Sequence, residues 1–174
     1  MKNSKIKLGN KIVSKKSLPY IIAEIGVNHE CSLQMAKKLI YLAKKGGADA
    51  AKFQTYKAHL ITSKYAKSYW DTKKEKTKSQ FELFKKYDFF EKQHYEELSS
   101  YCKKLKIEFI STPFDIEAVD MLDKLVKFYK ISSSDITNFP LLKKIASKKK
   151  PVILSTGAST LKEIRQALNF LKKK

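Results

Sequence analysis

Lys52 and Lys130 each stand in the middle of a short apolar run, AAKFQTY (50–56) and FYKISSSD (128–135). Around them the sequence sets two carboxylates, Glu24 and Asp135, an amide, Gln54, and the hydroxyls of Thr112, Ser132, Ser133, Ser134, Ser155 and Thr156. Two ammonium groups beside small hydroxyls and a flexible Ser-Thr-Gly turn suit a small ligand bearing phosphate and carboxylate groups. Any one of these serines taken alone reads better as a turn or cap residue than as a ligand contact. The set, recurring at the ends of successive apolar runs, carries the chemical argument.

Those runs are IIAEIGVNH (21–29), AAKFQTY (50–56), EFISTPFD (108–115), FYKISSSD (128–135) and VILSTGAS (152–159), each followed by a helical pattern, the second after a long insertion. This is βα repetition, and strands in such units are parallel and buried on both faces. An unpaired ammonium there is costly to desolvate, but at the rim of a (β/α)₈ barrel it points into the mouth where ligands bind. Strand alternation puts Lys52 and Gln54 on one face and Phe53 on the other, and groups Ile110, Thr112 and Phe114. The fold class expected is therefore α/β, an incomplete (β/α)₈ TIM barrel of about five βα units. IKLGNKIV predicts a hairpin about Gly9-Asn10 within residues 1–17, capping the barrel bottom, with the partial barrel over 18–174. Ser32 is the predicted cap of a helix that Gly46-Gly47 stops. A helix at 91–105 turns Tyr95, Leu98, Tyr101, Cys102 and Leu105 inward, Asp115 caps the next, Asn138 and Pro140 open the fourth, and Thr160 with Glu163 forms a capping box for the fifth. Residues 57–89, rich in lysine and aromatics, read both as a packed excursion and as a lid on the ligand side. Five strands curved for closure would leave two open edges.

At 174 residues with 43% hydrophobic content, the chain is long enough for one domain with a real core. No run approaches the roughly 20 apolar residues of a membrane span, and the N-terminus lacks an apolar signal core, so a cytoplasmic protein without a membrane partner is expected. Cys31 and Cys102 lack metal or redox spacing and read as reduced thiols. The net charge of +20 raises nucleic-acid binding. Arg165 is the sole arginine, however, and scattered lysine reads as a solvated surface, so no nucleic-acid partner is expected. His29, His59 and His94 are widely spaced and form no ligand pattern, leaving His29 a turn or structural role and the metal list empty.

The strings AEIGVNH (23–29), GADAAKFQTY (47–56), FISTPFD (109–115), YKISSSDITNFPLLKKIA (129–146) and PVILSTGAS (151–159) resemble, in this order, the sialic acid synthase family. Its members make N-acetylneuraminate, legionaminate or pseudaminate. The resemblance implies condensation of phosphoenolpyruvate with N-acetylmannosamine or a related 2-acetamido-hexose, releasing phosphate and giving a nine-carbon 2-keto acid. It further implies that Glu24 handles the sugar near its aldehyde and that Lys52 and Gln54 cradle phosphoenolpyruvate. Lys130 and Thr112 would hold its carboxylate end, Ser133 and Ser155 would meet its phosphate, and Asp135 would move protons. A divalent metal, Mn or Mg, is implied as cofactor. In the family its histidines lie on later strands, as do part of the phosphate site and a small antifreeze-like domain that reaches into the partner of a homodimer. The chain alone is thus expected to be inactive, or to need a complementing C-terminal polypeptide. Two departures stand out. Ser133-Ser134-Asp135 replaces Ser-Gly-Glu, which shortens the carboxylate by one methylene and disfavours a left-handed backbone at Ser134. Glu30-Cys31 replaces Asn-Gly, which is expected to stiffen or strain that turn.

Overall fold

The computed structural model describes residues 5–172. Ile6–Leu8 (β1) and Lys11–Val13 (β2) pair antiparallel about Gly9-Asn10, with Gly9 in the left-handed region at φ 59°. Five strands follow: Ile22–Gly26 (β3), Ala50–Thr55 (β4), Glu108–Pro113 (β5), Tyr129–Ile131 (β6) and Val152–Leu154 (β7). They form two parallel sheets, β3-β4-β5 and β6-β7. Strands β5 and β6 lie side by side without sharing a ladder, so the single curved sheet expected from the βα repetition is broken between them.

The helices form where the apolar periodicity and the caps place them. Leu33–Lys45 (α1) starts at Ser32, whose hydroxyl accepts from the Met35 N–H, and stops at Gly46. The long insertion carries Ala58–Ile61 (α2) and Gln80–Tyr87 (α3). Lys92–Lys104 (α4) buries Tyr95, Leu98 and Cys102, with Tyr101 and Leu105 half-buried. Its cap is Glu91, whose N–H donates to His94 Nδ1. Ile116–Leu122 (α5) is capped by Asp115, which accepts from Ala118 N–H, and Phe139–Ser147 (α6) by Asn138. Leu161–Lys172 (α7) opens on the reciprocal Thr160–Glu163 bonds of a capping box.

Alternation along each strand splits the core in two. Outward residues, among them Ile25, Phe53, Phe109, Tyr129 and Leu154, pack against the helices. The inward set is small and apolar at its base: Leu8 of the hairpin meets Ala50, Ile110 and Phe128, with Ile22 and Ile153 against them. The hairpin therefore plugs the N-terminal ends of the strands. Among the described residues no helix is long and apolar enough to cross a membrane.

Candidate functional site

Each inward column climbs from that apolar floor to polar groups. On β3 Ile22 gives way to Glu24, on β4 Ala50 to Lys52 and Gln54, on β5 Ile110 to Thr112, and before and within β6 Phe128 to Lys130. On β3–β5 register puts these residues beside one another, with Glu24 opposite Lys52, Lys52 opposite Ile110, and Gln54 opposite Thr112. The structure sets Glu24, Lys52, Gln54 and Thr112 side by side on the inward face of β3–β5, above the apolar floor, and Lys130 of β6 is near enough for Lys52 and Glu24 to act on its charge. The alternation of Lys52, Phe53 and Gln54 is as the pattern predicts. Phe114 lies one residue beyond β5, edge-on to Tyr56.

The outward neighbours fix these side chains. Tyr129 is fully buried and its hydroxyl donates to the Val119 carbonyl at 2.9 Å, so Lys130, next in the strand, must face inward. Tyr95 of α4 donates to the Gln54 carbonyl at 3.1 Å, and Thr55 and Ser111 share a hydroxyl bond at 2.7 Å on the outer face.

Lys52 is 8% exposed and pairs with the carboxylate of Glu24, whose side chain is largely open to solvent. Lys130 donates to the Ile131 carbonyl at 2.7 Å. Burial first, and then repulsion from Lys52, push the Lys130 ammonium below the ordinary lysine range, while Glu24 pulls the other way. The two lysine tips are thus electrostatic neighbours. A bulge between Glu24 and Gly26 shapes the entrance. Gly26 takes φ 56°, and a Cβ there would sit 3.5 Å from Glu24 Oε1 and 3.7 Å from Gln54 Nε2, so both polar groups close over the glycine.

The other predicted residues lie on turns beyond the strands rather than within them. Ser133, Ser134 and Asp135 form a 3-10 turn after β6. Ser133 Oγ lies 3.5 Å from where a Cβ on Gly157 would stand, so this turn touches the Ser-Thr-Gly turn after β7. Ser155 donates its N–H to the Ile131 carbonyl at 3.1 Å. The backbone at Ser134 is not left-handed, so the serine in place of glycine meets no penalty there. Asp135 is half-buried, and burial holds its carboxyl above the usual range against the hydrogen bonds from Asn138 and Ser134. Asn138 was legible only as a helix cap, although the Asp-x-x-Asn spacing of a turn signals its second contact. The bulge at Gly26 left no distinct mark in the sequence.

Glu30 and Cys31 both adopt left-handed φ, 49° and 60°, so the turn that departs from Asn-Gly is strained. His29 is 3% exposed, stacked on Phe90 at 4.3 Å, with Nδ1 accepting from the Cys31 N–H. Burial lowers its pKa to about 4. It is a neutral packing residue, and the described residues contain no group of three histidine, cysteine or acidic side chains able to hold a metal. Both cysteines are free thiols. The insertion is stitched to itself by a Lys67–Ser79 bridge and by the Trp70 indole donating to the Glu75 and Thr77 carbonyls, and it leaves Tyr65 92% exposed.

The geometry sits on strings shared with known proteins. The NeuB family profile matches residues 39–174. An N,N'-diacetyllegionaminic acid synthase of Campylobacter jejuni is 48% identical over 160 residues, 90% of this chain and 47% of that protein. The solved N-acetylneuraminic acid (sialic acid) synthetase of Leptospira borgpetersenii, in complex with citrate, is similar at TM-score 0.86 and 32% identity, over 98% of this chain and 56% of that one. A truncated 3-deoxy-D-arabino-heptulosonate 7-phosphate synthase of Thermotoga maritima shares the fold, at TM-score 0.69 and 15% identity, over 98% of this chain and 52% of that one. The chain spans about half the length of the curated relatives it matches. A profile match over most of the sequence, and polar groups on those same strings gathered at one rim, place this chain in the NeuB family, alongside legionaminic, sialic and pseudaminic acid synthases.

Proposed function

We propose that this chain carries the phosphoenolpyruvate-holding part of a condensing synthase, built as about five βα units of an incomplete (β/α)₈ barrel. The reaction joins C3 of phosphoenolpyruvate to the aldehyde carbon of a 2-acetamido-hexose, adds water at C2 and releases phosphate. The convergence of Lys52 and Lys130 at one rim carries the reading, because two preorganised cations stabilise the charge that moves through these steps. Lys52 and Gln54 hold the phosphate-bearing face, and Lys130 with Thr112 holds the carboxylate. Ser133 and Ser155 add donors to phosphate. Glu24, open to solvent at the entrance, meets the sugar beside its aldehyde. Asp135, raised by burial toward neutrality, exchanges a proton as water adds. A divalent metal supplies Lewis acidity in such chemistry. The described residues do not fit such an ion, so none of these roles passes through it.

Calorimetric titration of the chain with phosphoenolpyruvate tests this. Lys52→Met and Lys130→Met each should weaken binding by about tenfold or more, the value of one charge-assisted contact, while Lys73→Met on the exposed insertion should not. Equal affinities across the three variants would sink the proposal. Mixed with N-acetylmannosamine, phosphoenolpyruvate and Mn²⁺, the chain alone should give no keto acid, and product would overturn the reading that the metal is held elsewhere.

A further inference from the structure

We propose that Asn138 is a positioning residue for Asp135, its one planar amide clamped at both ends between helix α6 and the carboxylate. Asn138 Oδ1 accepts from the Leu141 N–H at 3.3 Å, capping the helix, and Asn138 Nδ2 donates to Asp135 Oδ1 at 3.2 Å. The two bonds select one orientation of the amide. A flip would set its oxygen against the carboxylate oxygen and its NH₂ against the Leu141 N–H, losing both bonds at once. The Asn138 N–H also donates to the Asp135 carbonyl at 3.0 Å, which fixes the turn between them. Ser134 Oγ, itself bonded to Ser132 Oγ at 2.9 Å, donates to the other carboxylate oxygen at 3.3 Å.

Asp135 is therefore held by two neutral donors. Among the described residues no lysine, arginine or histidine forms an ion pair with it, so burial and these two donors act on its carboxyl. A helix cap thus becomes part of a proton-handling site: the same amide that starts α6 sets the rotamer of the carboxylate and favours its ionised form. This inference rests on Asp135 as the proton handler proposed above.

The test is a carbonyl-carbon NMR titration of Asp135 in the full chain, with the Asn138 side-chain amide followed in parallel. In the wild type, the Asn138 NH₂ resonances should shift with the Asp135 midpoint. Asn138→Ser keeps a strong helix cap but removes the donor, and should raise that midpoint. Asn138→Asp also keeps the cap, sets an acceptor against the carboxylate, and should raise it further. An Asn138 amide that stays flat through the Asp135 titration overturns the proposal without any variant, as does an unmoved midpoint in folded Asn138→Ser and Asn138→Asp. The proton-handling role fails by a different result, an Asp135→Asn chain that supports condensation as well as the wild type when the remaining machinery is supplied.

Discussion

His29 makes the stability of this fold depend on acid in a way that one substitution should remove. In the unfolded chain its imidazole titrates near the ordinary value of about 6.5. In the native state burial against Phe53 and Phe90 lowers it to about 4. At pH 7.5 the ring is neutral in both states and its packing is fully available. Between 6.5 and 4 the unfolded chain takes up a proton that the native chain refuses, so stability falls as pH falls. Integrating the linkage gives a loss of roughly 2.5 kcal/mol on going from pH 7.5 to 4.5. His29→Phe keeps a ring between Phe53 and Phe90 but cannot titrate, and at neutral pH it loses about 1 kcal/mol with the bond from the Cys31 N–H. Urea unfolding at both pH values, followed by circular dichroism, gives the double difference. The fall from pH 7.5 to 4.5 should be smaller in His29→Phe by roughly 2.5 kcal/mol. Equal falls in the two proteins would show that His29 protonates freely in the native state, and the packing account would be wrong.

Two further outcomes follow from the same region and from α4. Glu30→Asn or Cys31→Gly, each placing a left-handed-tolerant residue at φ 49° or 60°, should raise unfolding free energy by about 0.5–1 kcal/mol in denaturant titrations; a loss in both would show that the turn is unstrained. Cys102, fully buried with its thiol pushed up to about 12 by desolvation, should resist a disulfide reagent at pH 8 in the native chain while the half-buried Cys31 reacts; two equally fast thiols would contradict the packing of α4.

The parts of the site that depend on strand alternation were legible in the sequence, because period-two patterning fixes which residues share a face. Lys52, Gln54 and Thr112 needed only that rule. For Lys130 the structure supplies the reason: Tyr129 takes the outward face, fully buried with its hydroxyl on the Val119 carbonyl. Turns beyond the strand ends were less legible. Apolar run lengths do not say where a strand stops: β6 ends at Ile131 and β7 at Leu154, so Ser133 and Asp135, like the Ser-Thr-Gly turn that begins at Ser155, are placed by turn geometry. The bulge at Gly26 depends on which side chains close over a positive φ, and no one-dimensional pattern shows that. The break between β5 and β6 was equally silent, since each strand carries the apolar character of a ladder member whether or not the ladder is made.

A count of charges alone points to the opposite pole from the proposed site. A cleft of about 740 Å³ opens at the N-terminal ends of β4, β5 and β6, lined by Lys11, Lys44, Lys103, Lys106, Lys124 and Lys127. Helices α1 and α4 end there with Lys44, Lys45, Lys103 and Lys104 in their last turns, where cations offset the partial negative charge of unsatisfied carbonyls. Lys44 donates to the Lys106 carbonyl, Lys11 pairs with Asp49, and Lys127 with Glu108. Much of the positive charge at this pole is therefore answered by the fold itself, and the helix ends oppose an incoming anion. At the other pole the helices begin, presenting partial positive charge, and Lys52 and Lys130 are partly withdrawn from water, with the Glu24 carboxylate paired to Lys52. The lysine pair there is partly desolvated and only partly answered, and this, rather than any count of lysines, is what would favour a small polyanion at the proposed site.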